Sequence, residues 1–159
     1  MATTWAIKAH LAVYTKNNGK PGQFSGCAIL LNANMSDGTA ATRTITNVLG
    51  DKNQAQAELY TAIAAITAIQ LRSRVTKVTL YTNSKYLVTV LTKKNGEWGE
   101  VNKNKGLVHK LRETYDQLKD AGIEFDNTSG EIARASELAK TCCQEQASTD
   151  TGTTYGTTA

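Results

Sequence analysis

The hydrophobic period of this chain changes once, at Asn53, and that change limits the possible folds more than any other feature. Before it, Ile7, Ala9, Leu11 and Val13 alternate with Lys8, His10, Ala12 and Tyr14. A period of two puts alternate side chains on opposite faces of a strand. The run Lys16-Asn17-Asn18-Gly19-Lys20-Pro21-Gly22 is turn chemistry. Gly26 to Leu31 is a short apolar run suited to a buried strand, and Thr42 to Leu49 is rich in β-branched residues. Short turns join the three, which predicts an antiparallel meander. After Asn53, Leu59, Ala62, Ile63, Ile66 and Ile69 recur at helical spacing as far as about Arg72. Val75 to Tyr81 reads as a fourth strand. Ser84 is placed to cap a helix over Lys85 to Lys94. Leu107, Leu111, Tyr115 and Leu118 mark another helix, which Gly122 ends. Ile123 to Phe125 is a short strand. Ser129 precedes a last helix with Ile132, Ala135, Leu138, Ala139 and Cys142 on one face. The order β-β-β-α-β-α-α-β-α predicts an α/β domain over residues 1–147. Its five-stranded mixed sheet has the first three strands antiparallel and is flanked by helices. Ser148 to Ala159, almost all Thr, Gly and Ser, has too little apolar surface to offset the entropy of ordering it, so the expectation is a disordered tail.

Composition sets the outer limits. A chain of 159 residues, 40% hydrophobic and 20% charged, can bury a core without metals or disulfides, which excludes a wholly disordered chain. No apolar run reaches membrane-spanning length, and the N-terminus lacks the pattern of a signal peptide; the expected setting is the cytoplasm, with no membrane contact. Cys27, Cys142 and Cys143 are odd in number and contain no CxxC pair, which argues for reduced thiols and against zinc. The formal net charge of +4 is unevenly spread. Residues 72–112 carry ten Lys/Arg and two Asp/Glu, whereas residues 113–159 carry three and nine. The first segment predicts a basic face able to meet phosphates. The second offers an acidic face to a protein partner.

Five landmarks in order resemble ribonuclease H. Val13-Tyr14-Thr15 followed by Gly19-Lys20-Pro21-Gly22 is similar to that family's first strand and its glycine-rich turn. Ala57-Glu58-Leu59 with Ala62, Ala64 and Ala65 resembles its first helix. Tyr81-Thr82-Asn83-Ser84-Lys85-Tyr86-Leu87 is similar to its fourth-strand motif. Lys93-Lys94-Asn95-Gly96-Glu97-Trp98, with Asn102-Lys103, resembles its basic protrusion, and Ser136-Glu137-Leu138-Ala139 its closing motif. The resemblance runs from about Ile7 to Gln146 and implies the same fold.

It also implies a chemistry whose parts are missing. The family cuts the RNA strand of RNA–DNA hybrids with two metal ions held by four carboxylates. The corresponding positions here read Lys16, Glu58, Asn83 and Ser136, and the family's loop histidine is replaced within Asn127-Thr128-Ser129-Gly130. The expectation is therefore a ribonuclease H without the nuclease: no catalytic residue, no metal, no cofactor, and Lys16 paired with Glu58 across the old site. His10 and His109 carry no assigned role. What remains of the grip is Lys85, Lys93, Lys94, Trp98, Lys103 and Lys105, with Asn53 and Gln56 at the start of the first helix. Lysines beside an aromatic suit backbone phosphates and sugar or base packing. The expected partner is RNA, as a structured or hybrid duplex, or a ribonucleoprotein such as the ribosome. A protein-interaction module is the alternative, and a residual hybrid nuclease is a third. A small domain that keeps a fold and sheds its site would suit a phage protein, working in the host cytoplasm.

Overall fold

Three strands of twelve residues begin the chain: β1 (Trp5–Lys16), β2 (Phe24–Met35) and β3 (Thr39–Gly50). β1 and β2 pair antiparallel from Trp5 opposite Met35 to Lys16 opposite Phe24, and β3 pairs antiparallel with β2. The computed structural model describes residues 3–70, 74–118 and 120–157, so Arg72, the expected end of the first helix, lies outside it. That helix, α1 (Gln54–Gln70), carries the chain across the sheet to β4 (Val75–Thr82). β4 runs parallel to β1, with Leu11 beside Thr82, and a parallel neighbour is reachable only through such a crossover. α2 (Lys85–Val90) and α3 (Lys105–Asp116) follow. β5 (Ala121–Phe125) then adds parallel to β4, and α4 (Gly130–Glu145) closes the domain. Gly122 lies inside β5 rather than ending a helix, and α2 is shorter than the sequence pattern suggests.

Alternation in β1 sorts the two faces. Ile7, Ala9 and Leu11 join Leu59, Ala62, Ile66 and Ile69 of α1 in the main core, which also takes in Leu87, Val108 and Leu111 from α2 and α3. Ala12, Ala28 and Leu30 point the other way, onto Ala135 and Ala139 of α4. β2 is thus covered on both faces, which is why its sequence is a continuous apolar run rather than an alternating one. Gly26 permits the closest contact between the layers: a Cβ there would stand 2.7 Å from the backbone nitrogen of Cys143. Ser84 and Ser129 act as the caps their positions suggest, accepting from the backbone N–H of Leu87 and Ile132. The three cysteines are free and buried.

The C-terminal segment departs from expectation. Instead of a disordered tail, β6 (Thr149–Asp150) and β7 (Thr154–Thr157) run antiparallel along the outer edge of β3, so the sheet has seven strands rather than five. Apolar burial is not what orders it. Backbone groups along the β3 edge gain partners, and Arg43 grips Asp150 with two N–H···O bonds of 3.0 and 2.6 Å. Hydrogen bonding to Arg43 holds the Asp150 carboxyl down at about 2. Ser148 Oγ accepts from the Val48 N–H, and Thr149 meets Thr46 at 2.7 Å. Ending the chain after Ala147 should lower stability by about 1–2 kcal/mol, or roughly 3–6 °C in Tm for a domain of this size. Thermal melts of the two lengths check this; identical Tm values would show that the segment contributes nothing.

Candidate nucleic-acid interface

The carboxyl ends of β1 and β4 meet the start of α1 and the middle of α4 at one corner of the domain. Asn83, just past β4, donates from Nδ2 to Ser136 Oγ of α4 at 3.3 Å. Glu58 of α1 and Asn83 line one small cavity with Leu11, Ala12, Val13, Gln54 and Thr82, about 10 Å³ in volume. Three of the four positions singled out in the sequence therefore converge. Lys16 does not complete them. It is exposed at the end of β1, and among the described residues no ion pair joins it to Glu58, which corrects the expected Lys–Glu replacement. Glu58 is instead buried, 7% exposed, and its Oε2 has no hydrogen-bond partner. Burial pushes its carboxyl pKa up, and hydrogen bonding from Ser84 and Gln54 offsets only part of that shift. Sequence reasoning passed over Tyr14. It shares the α4 face of β1 with Ala12 and packs, half-buried, against the cluster that contains Ala135 and Ala139. The signal was parity: Ala12, Tyr14 and Lys16 share a face, and of the three only Lys16, the last residue of β1, is exposed.

The basic segment divides into structural and free charges. Lys93 pairs with Asp116 at 3.2 Å and lies 4.6 Å from the Trp98 ring centroid. Arg112 sits 4.9 Å from the same ring and donates to the carbonyls of Val90 and Gly99. Tyr115 meets Trp98 edge-on. Trp98 is thus a half-buried pin with two cations packed against its ring. Asn95 and Gly96, both at positive φ, form the tight turn between Lys94 and Glu97. That turn leaves Lys94 exposed at its base, beside an open cleft of about 700 Å³ also lined by Lys103, Trp98 and Arg112. Lys105 is exposed as well, and Lys85, also exposed, reaches over Phe125 at 5.8 Å. Asn53 and Gln56 prove to be a helix cap. Asn53 Oδ1 accepts from the Gln56 N–H at 2.8 Å while Gln56 Oε1 accepts from the Asn53 N–H at 3.1 Å. Their acceptor oxygens serve α1 rather than a ligand.

The acidic third is also partly used up within the fold. Asp116 and Asp150 are ion-paired, and Asp126 accepts from Thr128, from the Ser129 N–H and from Ser129 Oγ, fixing the entry to α4. His10 stacks on Tyr81 with ring centroids 4.7 Å apart, its Nε2 3.9 Å from Asp126. Burial lowers its pKa, so it serves as a packed neutral ring.

A family model for RNase H matches residues 8–140. The chain belongs to the ribonuclease H family. Solved structures agree on the fold. LC9-RNase H1, described as a type 1 RNase H with the type 2 active-site motif, superposes with a TM-score of 0.75 at 17% identity, over 94% of this chain and 79% of that one. RNase H1 from the halophilic archaeon Halobacterium salinarum gives 0.67 at 18% identity, over 89% and 99%. LC11-RNase H1, solved in complex with RNA/DNA hybrid, gives 0.66 at 15% identity, over 88% and 98%. No curated protein sequence matches the chain.

Ribonuclease H chemistry needs clustered carboxylates around its two cations, and the residues at this corner do not fit that pair. They offer one desolvated carboxyl, an amide whose N–H is turned toward a hydroxyl, and that hydroxyl. Among the described residues no group of three or more His, Cys, Asp or Glu could hold a metal ion. The Glu58 environment makes a pH prediction. Its folded pKa lies above the unfolded value, so its contribution is fully present below the unfolded pKa, about 4.3, and is lost as pH rises through the folded one. Glu58→Gln removes that loss. It should raise Tm at pH 7, by about 2–4 °C for each kcal/mol recovered, and leave it nearly unchanged near pH 4. A variant destabilised equally at both pH values would show that the carboxyl is not the strained group.

Proposed function

We propose that this ribonuclease H domain binds nucleic acid without cutting it. The observation that carries the reading is the split at the two ends of the domain. At the chemical corner Glu58 alone keeps a carboxyl, and it is desolvated. At the protrusion Lys94 and Lys103 are exposed on an open cleft, with Lys105 exposed at the start of α3 and Lys85 exposed on α2. The ligand class is an A-form-like duplex, either structured RNA or an RNA–DNA hybrid, whose phosphates and 2′-hydroxyls a basic groove meets without reading sequence. The hybrid bound to LC11-RNase H1 supports this class for the fold. A ribonucleoprotein such as the ribosome would present the same surface, in the cytoplasm of the cell or of a phage host.

Reversing Lys94, Lys103 and Lys105 together to Glu should weaken binding to a hybrid and to an RNA duplex. Each lost phosphate contact should lower the slope of log affinity against log salt by about 0.7–0.9. Lys93 is left out because its reversal would also break the Trp98 pin. Fluorescence anisotropy across a salt series measures both effects, and a triple variant that binds as the parent does removes the basic face from the reading.

The protein should leave a labelled hybrid intact in magnesium and in manganese. Restoring carboxylates as Tyr14→Asp, Asn83→Asp and Ser136→Asp should return manganese binding, seen as a rise in Tm with added metal. The same set with Lys16→Asp in place of Tyr14→Asp should not, because Lys16 is exposed at the last residue of β1 while Tyr14 packs on the α4 side. Cleavage by the unmodified protein that Glu58→Gln abolishes would overturn the non-cutting reading.

A further inference from the structure

The edge of β3 carries a built contact surface that no nucleic-acid role uses. Arg43 holds Asp150 through two hydrogen bonds, Thr46 meets Thr149, and the Thr44 N–H donates to Thr151 Oγ1. Tyr155 lies edge-on to Trp5 with ring centroids 6.4 Å apart. Below the strap, Trp5, Ile7, Leu31, Ala33, Ala41 and Ile69 line an apolar hollow of about 20 Å³, with Thr153 on its rim. This is the chemistry of strand addition: main-chain pairing along an open sheet edge, with a charge contact fixing the register.

Three features make the strap separable from its own domain. First, residues 148–152 and 154–156 are exposed, so the strap buries little side-chain surface of its own. Second, only Gln146, Ala147 and Ser148 join it to α4. Gln146 is held left-handed at φ 52°, a conformation that costs a non-glycine residue about 1 kcal/mol or more. A short hinge under strain favours exchange of the segment it carries, because the extended hinge relieves the strain. Third, every contact the strap makes in its own chain is reproduced when it lies on another copy, so exchange loses no pairing.

We propose that the β3 edge is a strand-docking site for this chain's own C-terminal strap, filled in cis in the single molecule and in trans by a second copy. The exchanged form is a two-fold dimer in which each strap lies along the partner's β3. The inference is independent of the nucleic-acid reading, since the strap edge and the protrusion share no residue.

The test uses two full-length variants. In Arg43→Asp the edge and its own strap both carry Asp, and in Asp150→Arg both carry Arg, so each repels its strap in cis. Mixed, each edge meets a strap of opposite charge. Analytical ultracentrifugation with native mass spectrometry should find each variant monomeric and the equimolar mixture dimeric, with at least about tenfold more dimer than either alone. Arg43 is half-buried and Asp150 exposed, and melting curves establish that each variant is folded. A mixture that stays monomeric while both are folded overturns exchange. A second pair reads the register: Thr42 lies opposite Thr154, so Thr42→Cys mixed with Thr154→Cys should give a mixed disulfide dimer on non-reducing gels. Random homodimers in equal yield would count against the proposal.

Discussion

β1 is hydrogen-bonded on both sides, antiparallel to β2 and parallel to β4, and the rest of the domain is arranged around that double pairing. A parallel neighbour demands a crossover, and α1 fills it with a face of Leu59, Ala62, Ile66 and Ile69 laid on the sheet. The other face of β1 and β2 then needs its own cover, which α4 supplies, approaching until Gly26 has no room for a side chain. Because β4 ends beside Leu11, in the second half of β1, whatever stands at Asn83 comes within reach of α1 and of α4. The corner exists for topological reasons, whether or not it performs chemistry.

What fills that corner carries the proposed non-cutting reading. A pair of divalent cations needs ionised oxygens around it, and ionisation needs solvent or compensating charge. Glu58 has neither, with one oxygen unpartnered in a buried site. Asn83 and Ser136 have turned to each other. The charge that survives sits elsewhere, and the structure separates it into two kinds. Lys93 and Arg112 are held around Trp98, where they brace the protrusion. Lys94 and Lys103 are exposed on the cleft beside it, and Lys105 is exposed at the start of α3. A count of lysines treats them alike, whereas the geometry makes the first group a support for the second.

The far edge of the sheet shows the same economy in backbone polar groups. β3 would be an open edge, with N–H and C=O groups ready to pair with any strand that approached. A polar segment with almost no apolar content satisfies them, held by Arg43 and a row of threonines. Order there follows from hydrogen bonds made available by a partner strand more than a hundred residues away in sequence.

Most of the architecture was legible from periodicity. The change of period at Asn53, the caps at Ser84 and Ser129 and the apolar stripe of α1 are local matters, fixed by side-chain spacing and capping chemistry over a few residues. The residue types at Lys16, Glu58, Asn83 and Ser136 were legible too, since no fold changes a side chain. The tertiary structure decided which neighbours each side chain has. It turned Asn53 and Gln56 into a cap and Trp98 into a pin, left Lys16 exposed, and packed Tyr14 against the α4 side of the sheet. It also ordered a segment that composition assigned to disorder. The sequence carries intrinsic preferences, which act between near neighbours. Burial, desolvation and edge pairing depend on residues brought together from distant parts of the chain, and they exist only once the sheet is formed.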